Sequence, residues 1–286
     1  GAVDVENALN SFRIQSALAA RLGGLCASEG VTTYMLMLAT FQLLLHRLCD
    51  ADDVPVATPV ANRRQVETHG LIGLFVNTIV MRADLSGNPT FRELLARVRQ
   101  MAVDAFAHQE LPFERLVEDM QPERDLTRHP LAQVLFNYHQ RNASRRLPRR
   151  HELAVRQPDA DEGGGGLFDL TLTLAEGEHG IRASLQYDTR LFDASTVERM
   201  AGHFLNLLEE VAANPDRQID HLELLGEDER RLLVEEWNRT EAEFPRELCL
   251  HQLFEEQVRR TPEAVAVVSA AGEMSYREVN RRANRL

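Results

Sequence analysis

Lysine is absent from this 286-residue sequence, and all 32 basic residues are arginine. The absence excludes a Schiff-base lysine, a phosphate-loop lysine and a lysine general base. Only three cysteines occur, Cys26, Cys49 and Cys249, and they are far apart, without Cys-x-x-Cys or Cys/His ligand spacing. The sequence therefore predicts no disulfide framework and no metal site, and it favours free thiols in a reducing cytoplasm.

Positive charge is also scarce, because 32 basic residues stand against 44 acidic ones, a formal net charge of −12. A nucleic-acid-binding domain needs a basic face, and an anionic membrane surface attracts basic segments, so neither partner is expected. Long apolar runs are missing too. The longest, Tyr34 to Leu45, spans about twelve residues, whereas a membrane span needs about twenty. A cytoplasmic protein of about two domains is expected.

The sequence does contain mixed helical and strand patterns, which are typical of an α/β protein. Helices are predicted over Gln15–Ser28, from Thr32 or Thr33 through Leu48, from Thr90 to about His108, after Pro112, from Asp193 to about Asn214, over Glu227–Trp237, over His251–Arg260 and from Tyr276 onward. Strands are predicted over Val54–Val60, Leu74–Leu85, Val134–Tyr138, Leu167–Leu174, Ile181–Tyr187 and Ala264–Ser269. Four glycines at Gly163–Gly166 predict a flexible connection. The arginine-rich stretch Arg141–Arg150 is either a solvated loop or a docking site for an acidic carrier protein.

Three sequence blocks stand out, and they follow one another in a fixed order. Ile72 to Arg82 reads IGLFVNTIVMR, His108 to Glu114 reads HQELPFE, and Arg124 to Leu131 reads RDLTRHPL. Together they resemble three motifs of the condensation domain of non-ribosomal peptide synthetases, which read roughly IGxFVNTxxxR, HQDxPFE and RDxSRNPL. Glu110, Thr127 and His129 depart from that pattern, and the departure at His129 puts any hydrogen bond of the family's Asn in doubt.

The resemblance extends over practically the whole chain. Thr58–Arg63 is similar to the segment before the first motif, and Tyr187–Asp193 to a strand-to-helix turn near the domain's end. Trp237–Thr240 resembles the linker between condensation and adenylation domains, and Met274–Leu286 resembles the first core motif of an adenylation domain. The resemblance implies a condensation lobe over residues 1–216, a linker over 217–245 and a truncated adenylation start over 246–286.

The catalytic motif of that family, HHxxxDG, is not in this sequence, since none of the ten histidines has a histidine neighbour. The resemblance therefore implies the C-terminal one of two chloramphenicol-acetyltransferase-like lobes, a mixed sheet flanked by helices, with no catalytic residue of its own. Its implied partners are the N-terminal lobe, the upstream and downstream peptidyl carrier domains with their phosphopantetheine arms, and the adenylation domain. ATP and magnesium would serve only the complete adenylation domain. This chain alone should be inactive in the implied reaction, which is amide bond formation between carrier-bound thioesters.

The motifs supply the candidate site residues. Asn77 and Thr78 are assigned to the wall of the substrate cleft. Asn77 alternatively ties down a neighbouring loop, because an amide on an apolar strand needs hydrogen-bond partners. Structural roles are assigned to the remaining motif residues, with Arg82 expected to pair with a carboxylate: Gly73, Phe75, Arg82, His108, Pro112, Phe113, Glu114, Arg124, Asp125, Arg128 and Pro130.

Two other functions are compatible with a condensation-like fold. A condensation-like domain that lost its histidines could act as a non-catalytic module that recruits a partner enzyme or carrier protein. An epimerase on the same fold is disfavoured, because the first two motifs follow the condensation pattern. The sequence preceding Gly1 would discriminate between catalysis and recruitment.

Overall fold

A computed structural model describes residues 7–63, 65–68, 70–122, 129–140, 168–243, 247–270 and 272–285. The chain divides into two compact units, residues 1–230 and 231–286. The first unit contains strands β1 (Asn7–Ile14), β2 (Asp53–Val60), β3 (Asn77–Asp84), β4 (Val134–His139), β5 (Leu170–Gly177) and β6 (Gly180–Asp188). Its helices are α1 (Ser16–Glu29), α2 (Thr33–Cys49), α3 (Phe91–Ala107), α4 (Phe113–Met120), α5 (Ala194–Ala213) and α6 (Glu227–Arg231), the last of which ends at the boundary between the units.

The six strands form one mixed sheet in the order β1-β6-β5-β4-β2-β3. Strand β4 is parallel to both of its neighbours, and the other pairs are antiparallel. One face of the sheet carries fully buried side chains such as Phe136, Leu172 and Leu185, which belong to the same core as Phe41 of α2 and Phe204 of α5. Helix α1 contacts α5, α5 contacts α2, and α2 contacts α3. The four helices form a single layer over this face.

Helix ends follow the local sequence closely. The Thr32 side chain accepts a hydrogen bond from the Met35 amide at the start of α2, and Thr90 and Glu93 form a reciprocal capping box on α3. Gly30 ends α1 in the left-handed conformation that glycine adopts without strain. Asp193 occupies the N-cap position of α5, as predicted, but its side chain makes no capping hydrogen bond.

The strand predicted over Leu74–Leu85 begins three residues later, at Asn77. Its partner β2 ends at Val60, directly opposite Asn77, because Asn62 turns the chain with a φ of 50°. Residues 74–76 therefore have no partner strand, and Leu74 and Val76 are 92% and 57% exposed. The alternation of apolar residues predicts the strand itself correctly and its first three residues wrongly.

The segment predicted as a linker begins on the first unit rather than beside it. Ile219 and Leu222 are buried, and the Arg47 guanidinium donates to both of their carbonyls, at 3.0 and 3.1 Å. Two α5 side chains hold the next stretch, with His203 Nε2 at 2.8 Å from Glu229 and Asn206 bonded to the Leu224 carbonyl. The first compact unit therefore extends to Arg230 and includes the beginning of the segment predicted as a linker.

The second unit contains α7 (Leu250–Arg260), a hairpin of β7 (Val265–Ser269) and β8 (Gly272–Ser275), and α8 (Tyr276–Ala283). A π-helical turn at Leu232–Glu236 precedes them, which interrupts the helix predicted over Glu227–Trp237. None of the described residues from Arg231 onward is buried. Across both units, the described residues include no helix that is long and apolar enough to cross a membrane.

Candidate functional site

Asn77 joins the first motif to the second. It is the first residue of β3, and its side chain lies on the helix-bearing face with Ile79 and Met81. Its Nδ2 donates to the carbonyls of Gln109 and Leu111, at 2.8 and 2.7 Å. The Phe113 amide donates to Asn77 Oδ1 at 3.1 Å. The side chain thus ties down the loop between α3 and α4, which is the second of the two interpretations that the sequence left open.

Thr78 lies on the opposite face of the sheet, because side chains alternate along a strand. It is half-buried and pairs across the strands with Pro59. Asn77 and Thr78 therefore cannot line the same surface, although the sequence assigned both of them to one cleft wall.

The second motif forms the corner that Asn77 fixes. His108 ends α3 and is exposed, with its backbone amide bonded to the carbonyls of Ala105 and Phe106. Pro112 is the N-cap residue of α4, where its fixed φ suits a helix start, and Glu114 lies in the first turn of that helix. All three residues thus lie at the turn from α3 into α4.

Phe113 packs on a buried histidine rather than deep in the core. Its ring centroid lies 4.6 Å from that of His129, and His129 stacks on Phe168 at 4.4 Å. His129 is only 8% exposed, and burial lowers the pKa of its imidazole below the ordinary value. The ring therefore serves as a neutral aromatic spacer, which is how this chain fills the position where the family pattern has Asn.

Arg63 organises the segment before β3, a role that the sequence motifs do not predict. Its guanidinium donates to the carbonyls of Thr68, Leu71 (2.9 Å) and Gly73 (3.3 Å). It also lies over the Phe75 ring, 4.2 Å from the centroid. A Cβ atom on Gly73 would come within 3.2 Å of that ring, so glycine suits this position. In the sequence, Arg63 is distinguished only as the last residue of the TPVANR segment.

Arg82 pairs with a carboxylate, as predicted. Its Nε lies 2.8 Å from both carboxylate oxygens of Asp53 on the neighbouring strand β2. The hydrogen bonds from Arg82 lower the pKa of Asp53. Both side chains are exposed, so the pair contributes little to stability.

The third motif lies partly outside the described residues. Arg124, Asp125 and Arg128 lie outside the described residues, as do the Arg141–Arg150 stretch and Gly163–Gly166. Pro130 follows His129 at the approach to β4. The described residues contain no group of three or more His, Cys, Asp or Glu side chains arranged to hold a metal ion.

The sequence of this chain is similar to a known protein family and to several characterised relatives. The family described as "Condensation domain" matches residues 3–234. A linear gramicidin synthase of Brevibacillus parabrevis is 43% identical over 96% of this chain, and surfactin synthase subunit 1 of Bacillus subtilis (strain 168) is 38% identical over 96%. The chain spans only 5% and 8% of those two proteins.

Solved structures show the same fold. A four-domain nonribosomal peptide synthetase bound to AMP and glycine matches 96% of this chain, and 22% of its own chain is covered, with a TM-score of 0.76 and 26% identity. The X-domain from teicoplanin biosynthesis matches 77% of this chain, and 50% of its own chain is covered, with a TM-score of 0.68 and 27% identity. The predicted fold, a mixed sheet flanked by helices of the chloramphenicol-acetyltransferase type, is confirmed.

Proposed function

Because this chain belongs to the condensation-domain family of nonribosomal peptide synthetases, we propose that it is the C-terminal lobe of such a domain and forms one wall of the cleft where amide bonds are made. The observation that carries the proposal is the family match over residues 3–234 in a sequence without HHxxxDG. The X-domain from teicoplanin biosynthesis gives further support, since this chain matches only half of its length.

The remaining residues are proposed to continue into the next domain. Residues 217–245 connect the condensation lobe to an adenylation domain, and 246–286 form the start of that domain. The match of the four-domain synthetase to 96% of the chain supports this order. The packing of Ile219 and Leu222 on the first unit indicates that the first part of the connection is held in place.

The proposed reaction is acyl transfer between two carrier-bound thioesters. The amine nitrogen of the acceptor aminoacyl group attacks the carbonyl carbon of the donor thioester. The new C–N bond forms, the C–S bond breaks, and the thiol of the donor phosphopantetheine arm leaves. The N-terminal lobe supplies the histidine that positions the amine or takes its proton, while this lobe holds the reactants together. ATP and magnesium serve only the complete adenylation domain.

Within this lobe, Thr78 and Asn77 have separate proposed roles. Thr78 faces the side of the sheet away from α2 and α5 and is the better candidate for the cleft wall. Asn77 acts as a positioning residue, because both of its N–H groups and its oxygen already bind the loop that holds Pro112. The structural roles of Gly73, Phe75 and Arg82 are consistent with a rigid support for that surface.

The test uses the complete parent synthetase with carriers that have been loaded in advance. We expect a dipeptidyl thioester on the acceptor carrier without added ATP, since loading is the only step that consumes it. The rival recruitment function is not favoured, because relatives at 38–43% identity are peptide synthases. Carrier binding without any dipeptidyl product would support recruitment and contradict the proposal.

A further inference from the structure

Two arginines lie directly opposite each other on the sheet face away from the helix layer. Arg13 of β1 pairs in register with Arg182 of β6, and both side chains are exposed. Their neighbours Phe12 and Ala183 point to the other face, where Phe12 contacts Phe204 of α5. The two arginine side chains therefore start from neighbouring backbone positions on one exposed surface.

Like charges in directly opposed strand positions destabilise a sheet. Neither Arg13 nor Arg182 has an ion pair or hydrogen bond within the part of the chain that the structure describes. Most other described arginines do have a carboxylate or carbonyl partner, such as Arg82 with Asp53. In a chain of net charge −12, an uncompensated pair of this kind indicates a place for an external anion.

The register of this pair is fixed by the backbone. Gly180 begins β6 with a φ of 105°, and a Cβ atom there would overlap the Ile14 carbonyl oxygen. Only glycine lets the β5–β6 hairpin come so close to the end of β1. The close approach sets Ile14 opposite Ile181 and thereby Arg13 opposite Arg182.

Arg13 and Arg182 belong to a row of side chains that continues across neighbouring strands on the same face of the sheet. Ala175 of β5 lies beside Arg182, and His139 of β4 lies beside Ala175. The Asn137 amide is 3.0 Å from His139 Nε2 on the same face. When Nε2 accepts from that amide, the ring proton is on Nδ1 and is available to a ligand. With strands about 4.8 Å apart, the row from Arg13 to His139 is about 14 Å long.

We infer that Arg13 and Arg182 form a phosphate-binding pair for the phosphate ester of a carrier domain's phosphopantetheine arm. Arginine forks match phosphate oxygens, and the small Ala175 leaves room for the uncharged arm to run toward His139. This inference rests on the proposed function, because it takes the ligand from the carrier domains that a condensation domain serves.

The test is a solution NMR titration of the 286-residue chain with pantetheine 4′-phosphate and, separately, with pantetheine. We expect the phosphorylated compound to bind at least about tenfold more tightly, the factor that one charge-assisted hydrogen bond supplies. The double variant R13Q/R182Q should lose about that factor for the phosphorylated compound only. The matched control is R99Q, which removes an exposed arginine from α3 in the helix layer and should bind like the parent chain. Melting temperatures confirm that each variant is folded.

The inference is overturned if pantetheine 4′-phosphate causes no shifts, if both compounds bind equally, or if the double variant binds like the parent chain. A carrier domain without its arm is titrated in the same way. If R13Q/R182Q weakens that interaction, the arginines meet the carrier's protein surface instead, and the phosphate assignment is wrong. Phosphate binding is measured without any reaction, so its failure is distinguishable from a failure of amide formation.

Discussion

The side chain of Asn77 connects the first sequence motif to the second by hydrogen bonds. Its three hydrogen bonds join residues more than thirty positions apart, from β3 to the loop before α4. The sequence predicted that this amide needs partners, because it lies on an apolar strand. It could not identify them, since strand alternation tells which residues share a face but not which loop packs on that face.

Replacing Asn77 with Ala should lower the free energy of unfolding by about 1–3 kcal/mol, because two carbonyls and one amide of the loop lose their partner. Urea denaturation of the chain measures this change. Thr78→Ala is the control, since it removes a side chain from the opposite face and should change stability by less than about 0.5 kcal/mol. Equal stability of Asn77→Ala and the parent chain would contradict the loop-fixing role.

His129 should make folding sensitive to mild acid. Burial lowers the pKa of His129 in the folded chain, so below about pH 6.5 the unfolded chain binds more protons at this site. The stability that the neutral ring contributes is present above about pH 6.5 and is lost as pH falls through the folded pKa. The comparison is His129→Gln, whose unfolding free energy should fall less than that of the parent between about pH 7 and pH 5. Parallel pH profiles for the two proteins would show that the ring is not held neutral.

At the scale of helices and strands, caps and turn residues were predictable because their signals are local. Helices α2 and α3 begin behind Thr32 and Thr90, where the sequence predicts their starts. The start of β3 was not predictable, because it depends on where the partner strand β2 ends. The segment before it keeps a strand-like apolar pattern, while the Arg63 guanidinium takes up its carbonyls.

A substitution of Gly180 tests the close approach between the β5–β6 hairpin and the end of β1. Gly180→Ala combines a φ of 105° with a steric overlap on the Ile14 carbonyl, so the β1–β6 pairing must shift. We expect a loss of at least about 1–3 kcal/mol in unfolding free energy, the usual cost of such backbone strain. Gly202→Ala is the matched control, because Gly202 lies in α5 with open space around its Cβ position. That change should be neutral or stabilising by up to about 1 kcal/mol. Similar stabilities for the two alanine variants, measured by chemical denaturation, would rule out the close approach.

At the scale of the whole molecule, the two units differ in how much they bury. Helix α3 of the first unit contains Phe91, Leu94 and Val98 with no exposed surface, whereas no described residue from Arg231 onward is buried. The sequence predicts a separate second part, because the resemblance changes from a condensation domain to an adenylation domain after the segment Trp237–Thr240. It does not reveal that Ile219 and Leu222 are buried on the first unit, because their burial depends on the folded surface of that unit.

Hydrogen exchange should report the difference between the units. Backbone amides after Arg246 should exchange much faster than those of α3, because few apolar contacts hold the second unit closed. The measurement is made at dilutions where the protein is monomeric, so that contacts between copies do not protect the amides. Comparable protection in both regions would mean that the second unit has a stable core of its own.

The most direct test of the central claim, that this chain is one lobe of a condensation domain, is amide formation by this chain with and without a complementary lobe. Two loaded carrier domains are incubated with the 286-residue chain, or with the chain fused behind an N-terminal condensation lobe that contains HHxxxDG. The account predicts no dipeptidyl thioester above the no-protein control for the chain alone. It predicts product for the fusion, and loss of that product when the second histidine of the motif is replaced by alanine. Product from the chain alone, or none from a folded fusion that binds both carriers, would contradict it.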